Sequence, residues 1–268
     1  WPMRGQNAQH TGRAPKADAF PAIAEVKPTE EALVNPNLKY KIEGDAVTIT
    51  GCDKKTSGAL IIPATIEGKT VTSIGNEALR NCTRLTSITI PDSVTSIGEA
   101  AFFMSSNLTS ITIGDGVTSI GDYTFSQCHS LTTIEVGAGN VYFTDINGVL
   151  FNAEKTVLLT CPAGKKGATY NIPDIVTSIG YEAFSGCTRL TSITIPDSVT
   201  SIGEAAFRVC TRLTSIEIPD SVTSIGDFAF KDCTRLTSIT IPDSVTSIRE
   251  AAFSGCTRLT SITIPESV

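Results

Sequence analysis

Apolar positions along this chain recur with a period of 23 residues. Residues 82–102 read CTRLTSITIPDSVTSIGEAAF, residues 187–207 repeat them letter for letter, and residues 233–253 differ only in carrying Arg249 for glycine. The same spacing links Leu190, Leu213, Leu236 and Leu259, and again Ile195, Ile218, Ile241 and Ile264. An upstream block keeps it in Ile90, Ile113 and Val136, and in Phe102 and Phe125. A fixed period between about 20 and 50 residues marks a solenoid or array. Within one unit, Leu190-x-x-Ile193-x-Ile195 follows the alternation of a half-buried strand. Pro196-Asp197 breaks the strand, because proline has no N–H for a continuing ladder. Val199 and Ile202 make a second short apolar pair, and Gly203 turns the chain. Glu204-Ala205-Ala206-Phe207 is predicted as a single helical turn, with its acid at the N-terminal end where the helix dipole favours it. One unit cannot bury its own apolar side, but units stacked at about 4.8 Å can. About nine such coils would make a rod roughly 40–45 Å long.

Two departures from the period have definable sizes. Ile62 to Ile90 spans 28 residues, and Val136 to Ile172 spans 36. The second insertion holds Gly148-Val149-Leu150-Phe151, the polar Asn152-Ala153-Glu154-Lys155, then Thr156-Val157-Leu158-Leu159. Apolar runs around a four-residue polar turn predict a β-hairpin that projects from, or closes, one coil. Residues 38–50 alternate around Glu43-Gly44-Asp45, which predicts a second hairpin, placed to cap the open N-terminal edge of the array. Residues 1–36 carry five prolines and no periodicity, and we expect an irregular N-terminal segment or linker there. The repeat domain is expected over residues 37–268. It divides into a cap at 37–59, a first repeat block at 60–139, the hairpin insertion at 140–171 and a second repeat block at 172–268. Residues 264–268 stop in mid-repeat, so we expect either a longer array or a separate cover for that edge.

The unit L-T-S-I-T-I-P-D-S-V-T-S-I-G-E-A-A-F-x-x-C, in nine near-regular copies over about residues 38–268, resembles the 23-residue leucine-rich repeats of the BspA-like family. Asn147-Gly148-Val149-Leu150-Phe151, followed later by Cys161-Pro162-Ala163-Gly164, resembles an element those proteins place between repeats. The resemblance implies a right-handed leucine-rich-repeat solenoid with parallel β-strands on its concave side and short strands and single helical turns elsewhere. It also implies an extracellular or cell-surface protein of bacteria or parasitic protists, linked to adhesion and to binding host matrix proteins. It carries no binding residues over to this chain.

Composition narrows the chemistry. The 268 residues hold 21 basic and 27 acidic side chains, a formal charge of −6. That balance speaks against nucleic acid as a partner, which selects a basic face. No stretch approaches the roughly 18–20 apolar residues of a membrane helix, so no membrane insertion is expected. Hydrophobic residues reach 41% with aromatics at only 6%, so the core must come from Ile, Val, Leu and Ala. Of the two histidines, His10 lies in the irregular segment. His129 directly follows Cys128, and adjacent residues seldom chelate one metal. Gly164-Lys165-Lys166-Gly167 lacks the phosphate-loop spacing. Asn81-Cys82-Thr83 and Asn107-Leu108-Thr109 fit the glycosylation acceptor pattern. A catalytic centre needs a unique set of groups around one reacting atom, and here most side chains recur in every coil. We therefore expect no enzyme, no cofactor and no metal.

The cysteines form a column rather than a C-x-x-C motif, and the column is broken. Cys82 and Cys128 have Ser105 between them, which sets them about 10 Å apart, too far to bridge. Cys187, Cys210, Cys233 and Cys256 are consecutive and could pair, but buried thiols acting as small apolar fillers are the expectation. Asp92, Asp115, Asp174, Asp197, Asp220, Asp243 and Glu266 share one phase after the strand, and Arg84, Arg189, Arg212, Arg235 and Arg258 share another before it. The acidic column suits either solvated turns or recruitment of Ca²⁺ or a basic partner. The strand's outward positions, Ser192, Thr194, Ser215, Glu217, Ser238, Thr240, Ser261 and Thr263, form the candidate partner-binding surface. Such rows can bind a glycan or ice, or arise because threonine suits strands. The expected function is a non-catalytic protein-binding or adhesion module facing an extracellular or cell-surface protein. The alternative is a structural spacer or self-assembling array whose open coil ends pair end to end.

Overall fold

The computed structural model describes residues 35–268, and the expectations placed on residues 1–34, His10 among them, lie outside the described residues. Each repeat contributes two strands to two separate rows. In the first block the longer strands Gly58–Ile61, Leu85–Thr89, Ser110–Ile113 and Thr133–Val136 pair side by side, all parallel. The shorter strands Ser96–Ile97 and Ser119–Ile120 extend a second sheet from Lys69–Ile74. Equivalent residues face each other across the paired steps, as with Ile88 and Ile111, Ser201 and Ser224, and Ile216 and Ile239. That register follows from identical units, because it is the one in which every apolar residue meets its own copy on the buried face. Pro196 closes the corner between the rows, its carbonyl accepting the Val199 N–H at 3.0 Å. The result is a parallel β-solenoid of about nine turns.

The third side of the coil corrects one expectation. Glu204-Ala205-Ala206-Phe207 is not a helical turn, and no helix occurs among the described residues. Ala205 has φ 52°, and its equivalents Ala100, Glu182, Phe228 and Ala251 lie between 50° and 56°. A residue in the left-handed region ends any right-handed helix. The N–H groups that a helix would direct backward instead reach forward to the next coil: Ala205 donates to Asp227 O, Phe207 to Ala229 O and Val209 to Lys231 O, at 2.7–2.8 Å. Inter-coil bonding satisfies this backbone better than one isolated turn, which would leave its terminal groups orphaned.

Side chains stack with the backbone. The rings of Phe184, Phe207, Phe230 and Phe253 lie 5.2–5.4 Å apart and within 9° of parallel. Phe102, Phe184, Phe207 and Phe230 are fully buried, together with the ladders of Ile, Val and Leu beside them. Burying one such side chain stabilises by roughly 1.5–3 kcal/mol, against the cost of ordering the coil that carries it.

Two segments leave the 23-residue pattern. Leu38–Glu43 and Ala46–Cys52 form an antiparallel hairpin, and Ala46–Cys52 also pairs in parallel with Lys69–Ile74, the start of the second row. Phe143–Ile146, Val149–Asn152 and Val157–Thr160 form three antiparallel strands, and the last pairs in parallel with Ser178–Ile179. Asn147 (φ 52°) and Gly148 (φ 76°) make the first of those turns, matching the two positive angles of a tight hairpin loop. The middle strand divides the interior. Val149 and Phe151 pack into a core shared with residues 158–256, while Leu150 between them packs into a core shared with residues 38–134.

The stack makes a graded prediction. Phe207→Ala, inside the ring column, is expected to lower the denaturation free energy by about 3–5 kcal/mol. Phe253→Ala, in the half-buried last ring of the column, is expected to cost clearly less. Urea titration of the two variants checks the order.

Candidate interaction surface

The strand face is polar, and its hydroxyls fall into two classes. Thr191, Thr214 and Thr237 each donate Oγ1–H to the carbonyl one coil back, at 3.0–3.2 Å. Ser198, Ser221 and Ser244 donate at 2.6–2.8 Å to Val176, Val199 and Val222 O. These hydroxyls hold coils together. Ser192, Thr194, Ser215, Glu217, Ser238 and Thr240 lie on the strands Ser192–Thr194, Ser215–Glu217 and Ser238–Thr240, each exposed, on either side of a buried Ile193, Ile216 or Ile239. Ser261 and Thr263 are exposed in the same phase but outside an assigned strand. Among the described residues no hydrogen bond engages the five Ser and Thr hydroxyls on these strands or those of Ser261 and Thr263, so they are free to meet a partner. The sequence shows serine and threonine alike at all these positions, and only the fold separates the two classes.

Charge flanks the face. Arg189, Arg212, Arg235 and Arg258 are exposed just before the strand, and Asp197, Asp220 and Asp243 are exposed just after it. Neither row takes part in the four ion pairs found among the described residues. In the first block the acidic phase works locally: Asp92 Oδ1 accepts the Asp115 N–H at 2.8 Å, and Asp115 Oδ1 accepts the Gly139 N–H at 3.0 Å. Seen end on, the face is a hydroxyl strip with a positive edge and a negative edge.

The third side of the coil is not uniform, because the inserted strands interrupt the stack. Ala100, Phe102 and Met104 donate forward to Asp122, Thr124 and Ser126, but Tyr123, Phe125 and Gln127 make no equivalent donation among the described residues. The Cys161 N–H takes Ala183 O instead, at 2.7 Å. A cavity of about 160 Å³ remains, lined by Phe125, Phe143, Leu150, Leu159, Pro162 and Tyr181 among others. Tyr123 and Tyr181, which line both this cavity and the groove beside it, meet edge to face at 5.2 Å. A groove of about 200 Å³ continues past Glu204, Arg208, Phe228 and Lys231. Glu182 sits between cavity and groove with its side chain 8% exposed, accepting the Ser126 hydroxyl and lying 3.6 Å from Arg208 Nη1. Burial raises its carboxyl above the ordinary carboxylate range, and Ser126 and Arg208 oppose the shift. Sequence reasoning found no site here, because Tyr123, Tyr181, Glu182 and Arg208 each look like an ordinary variant of a repeat position.

No group of three or more His, Cys, Asp or Glu able to hold a metal occurs among the described residues, and His129 is exposed. All eight cysteines are buried free thiols. Among the described residues no helix is long and apolar enough to cross a membrane.

A carboxyl whose folded pKa lies above its unfolded value destabilises the fold when ionised, and that cost is relieved as pH falls through the folded pKa. Relative to Glu182→Gln, the native chain is therefore expected to gain stability as pH is lowered from 7 toward the carboxylate range. Denaturant titrations at stepped pH measure the difference, and the opposite slope would show that the Arg208 pair outweighs burial.

Comparison with known proteins agrees with this architecture. A model of the BspA type leucine rich repeat region matches residues 61–166 and 163–268, with six copies. A leucine-rich repeat protein from Eubacterium ventriosum superposes with TM-score 0.55 at 26% identity, covering 87% of this chain and 84% of that one. The pneumococcal vaccine antigen PcpA superposes with TM-score 0.51 at 19% identity, covering 87% and 91%. A leucine rich cell surface protein from Faecalibacterium prausnitzii is similar at 22% identity, with TM-score 0.47 over 87% and 94%. No curated protein sequence matches the chain. With a 23-residue unit stacked in register and a family model covering most of its length, the chain belongs to the BspA-type leucine-rich repeat family.

Proposed function

We propose that this protein is a non-catalytic binding or adhesion module whose strand face meets an extracellular or cell-surface protein. The observation that carries the reading is the division of hydroxyls. Thr191 and its equivalents bind the neighbouring coil, whereas Ser192, Thr194, Ser215, Ser238, Thr240, Ser261 and Thr263 stay exposed and, with Glu217, unengaged by the fold. Rows of small polar groups between an arginine edge and an aspartate edge suit a partner surface of matching polarity. Edge charges orient such an encounter, and the hydroxyls supply short-range contacts. Repeat solenoids bind through extended surfaces of this kind, where many modest contacts add up. The recurrence of nearly every side chain from coil to coil supports a non-catalytic role.

Immobilised full-length chain, titrated with a panel of purified extracellular-matrix proteins, tests the proposal. Ser215→Lys together with Ser238→Lys alters the exposed face without touching the core. This variant is expected to weaken binding at least about tenfold, equivalent to 1.4 kcal/mol. Binding that ignores the double variant would sink the strand-face reading. No binding, joined to concentration-dependent oligomers in sedimentation, would favour a self-assembling array.

A further inference from the structure

The cysteine column has a structural task, which Cys82 does not share. Cys128, Cys210, Cys233 and Cys256 each donate to the carbonyl 26 residues upstream, at 3.1–3.2 Å. Cys187 makes the same contact to Cys161 O at 3.6 Å, and Ser105 stands in for cysteine, donating to Leu79 O at 2.9 Å. The same step from Cys82 arrives at Thr56, which precedes the regular repeats. Cys82 Sγ lies instead 2.8 Å from Cys52 Sγ, at the end of the hairpin strand Ala46–Cys52. Both residues are at most 3% exposed. Lys54 Nζ stands 3.7 Å from Cys82 Sγ and donates to Arg80 O. Thr56 Oγ1, also buried, has no partner.

We propose that Cys52 and Cys82 are an oxidation site, closing to a disulfide that ties the N-terminal hairpin to the first repeat coil, with hydrogen peroxide as oxidant. The two sulfurs, 2.8 Å apart, are within an ångström of the roughly 2.05 Å bond length. The Cys82 thiolate attacks one peroxide oxygen, the O–O bond breaks, and hydroxide leaves, giving the sulfenic acid. The Cys52 thiol then loses its proton and attacks Cys82 Sγ, expelling the sulfenic oxygen as water. Overall two thiols and one peroxide become one disulfide and two waters. Lys54 supplies the positive charge that favours the attacking thiolate, and it is itself exposed, so the pair lies one side chain below solvent. The titration preferences agree: the Cys52 contact, followed by Lys54, holds Cys82 down at about 7 against burial, while burial pushes Cys128 up to about 12.

The test uses the full chain, reduced, freed of reductant and titrated with hydrogen peroxide while folded. The expected result is loss of two of the eight thiols, a mass decrease of two hydrogens, and a single linked peptide pair joining Cys52 to Cys82. Cys52→Ser should stop at the sulfenic acid on Cys82, trapped by dimedone. Lys54→Met leaves both sulfurs in place and should slow the reaction several-fold. Circular dichroism before and after treatment confirms that the coils persist. Retention of all eight thiols, or a bridge between Cys233 and Cys256 in place of the Cys52–Cys82 link, would overturn the proposal. An unchanged rate in Lys54→Met would overturn the role given to that side chain.

Discussion

Everything in this molecule depends on contact between one coil and the next. A single turn of chain has no interior of its own and leaves half of its backbone groups without partners. The neighbour supplies both. It covers Phe207 with Phe184 on one side and Phe230 on the other, and it accepts the N–H groups of Ala205, Phe207 and Val209. Stability is then a sum over nearest-neighbour interfaces rather than the property of one central core. Coils can differ at the surface at little cost, provided the inward residues and the donor positions stay in phase.

Much of this is legible in the amino-acid sequence because repetition amplifies weak signals. The alternation in Leu190-x-x-Ile193-x-Ile195 would be ambiguous once, but its recurrence every 23 residues leaves little room for a different element. The third side shows the limit of local propensity. Glu204-Ala205-Ala206-Phe207 reads as helix by composition, yet the backbone there bends through a left-handed residue at Ala205 and bonds outward. Tertiary satisfaction of donors overrides what four residues prefer by themselves. The strand-face hydroxyls were visible as a column, but which of them are free depends on register. The Cys52–Cys82 contact escaped because Cys52 lies outside the period, so column spacing says nothing about it.

The inserted strands changed from an ambiguous hairpin into a defined wall. Val149 and Phe151 face one core and Leu150 the other, so neighbouring residues on one strand serve two interiors. The same insertion removes three forward backbone bonds, opens the cavity, and leaves Tyr123, Tyr181, Glu182 and Arg208 as a cluster without a counterpart in the regular coils. Irregularity thus concentrates strongly individual chemistry in the middle of the array.

The two-faced strand carries one more implication. A chain with letter-perfect copies at residues 82–102 and 187–207 risks threading a segment into the wrong slot while it folds, since a slip by one whole unit preserves nearly every contact. Val149–Asn152 has no copy to be confused with, and displacing it would leave apolar residues of both interiors bare at once. Among the described residues, that strand therefore marks a point in the middle of the array from which turns can be counted in both directions.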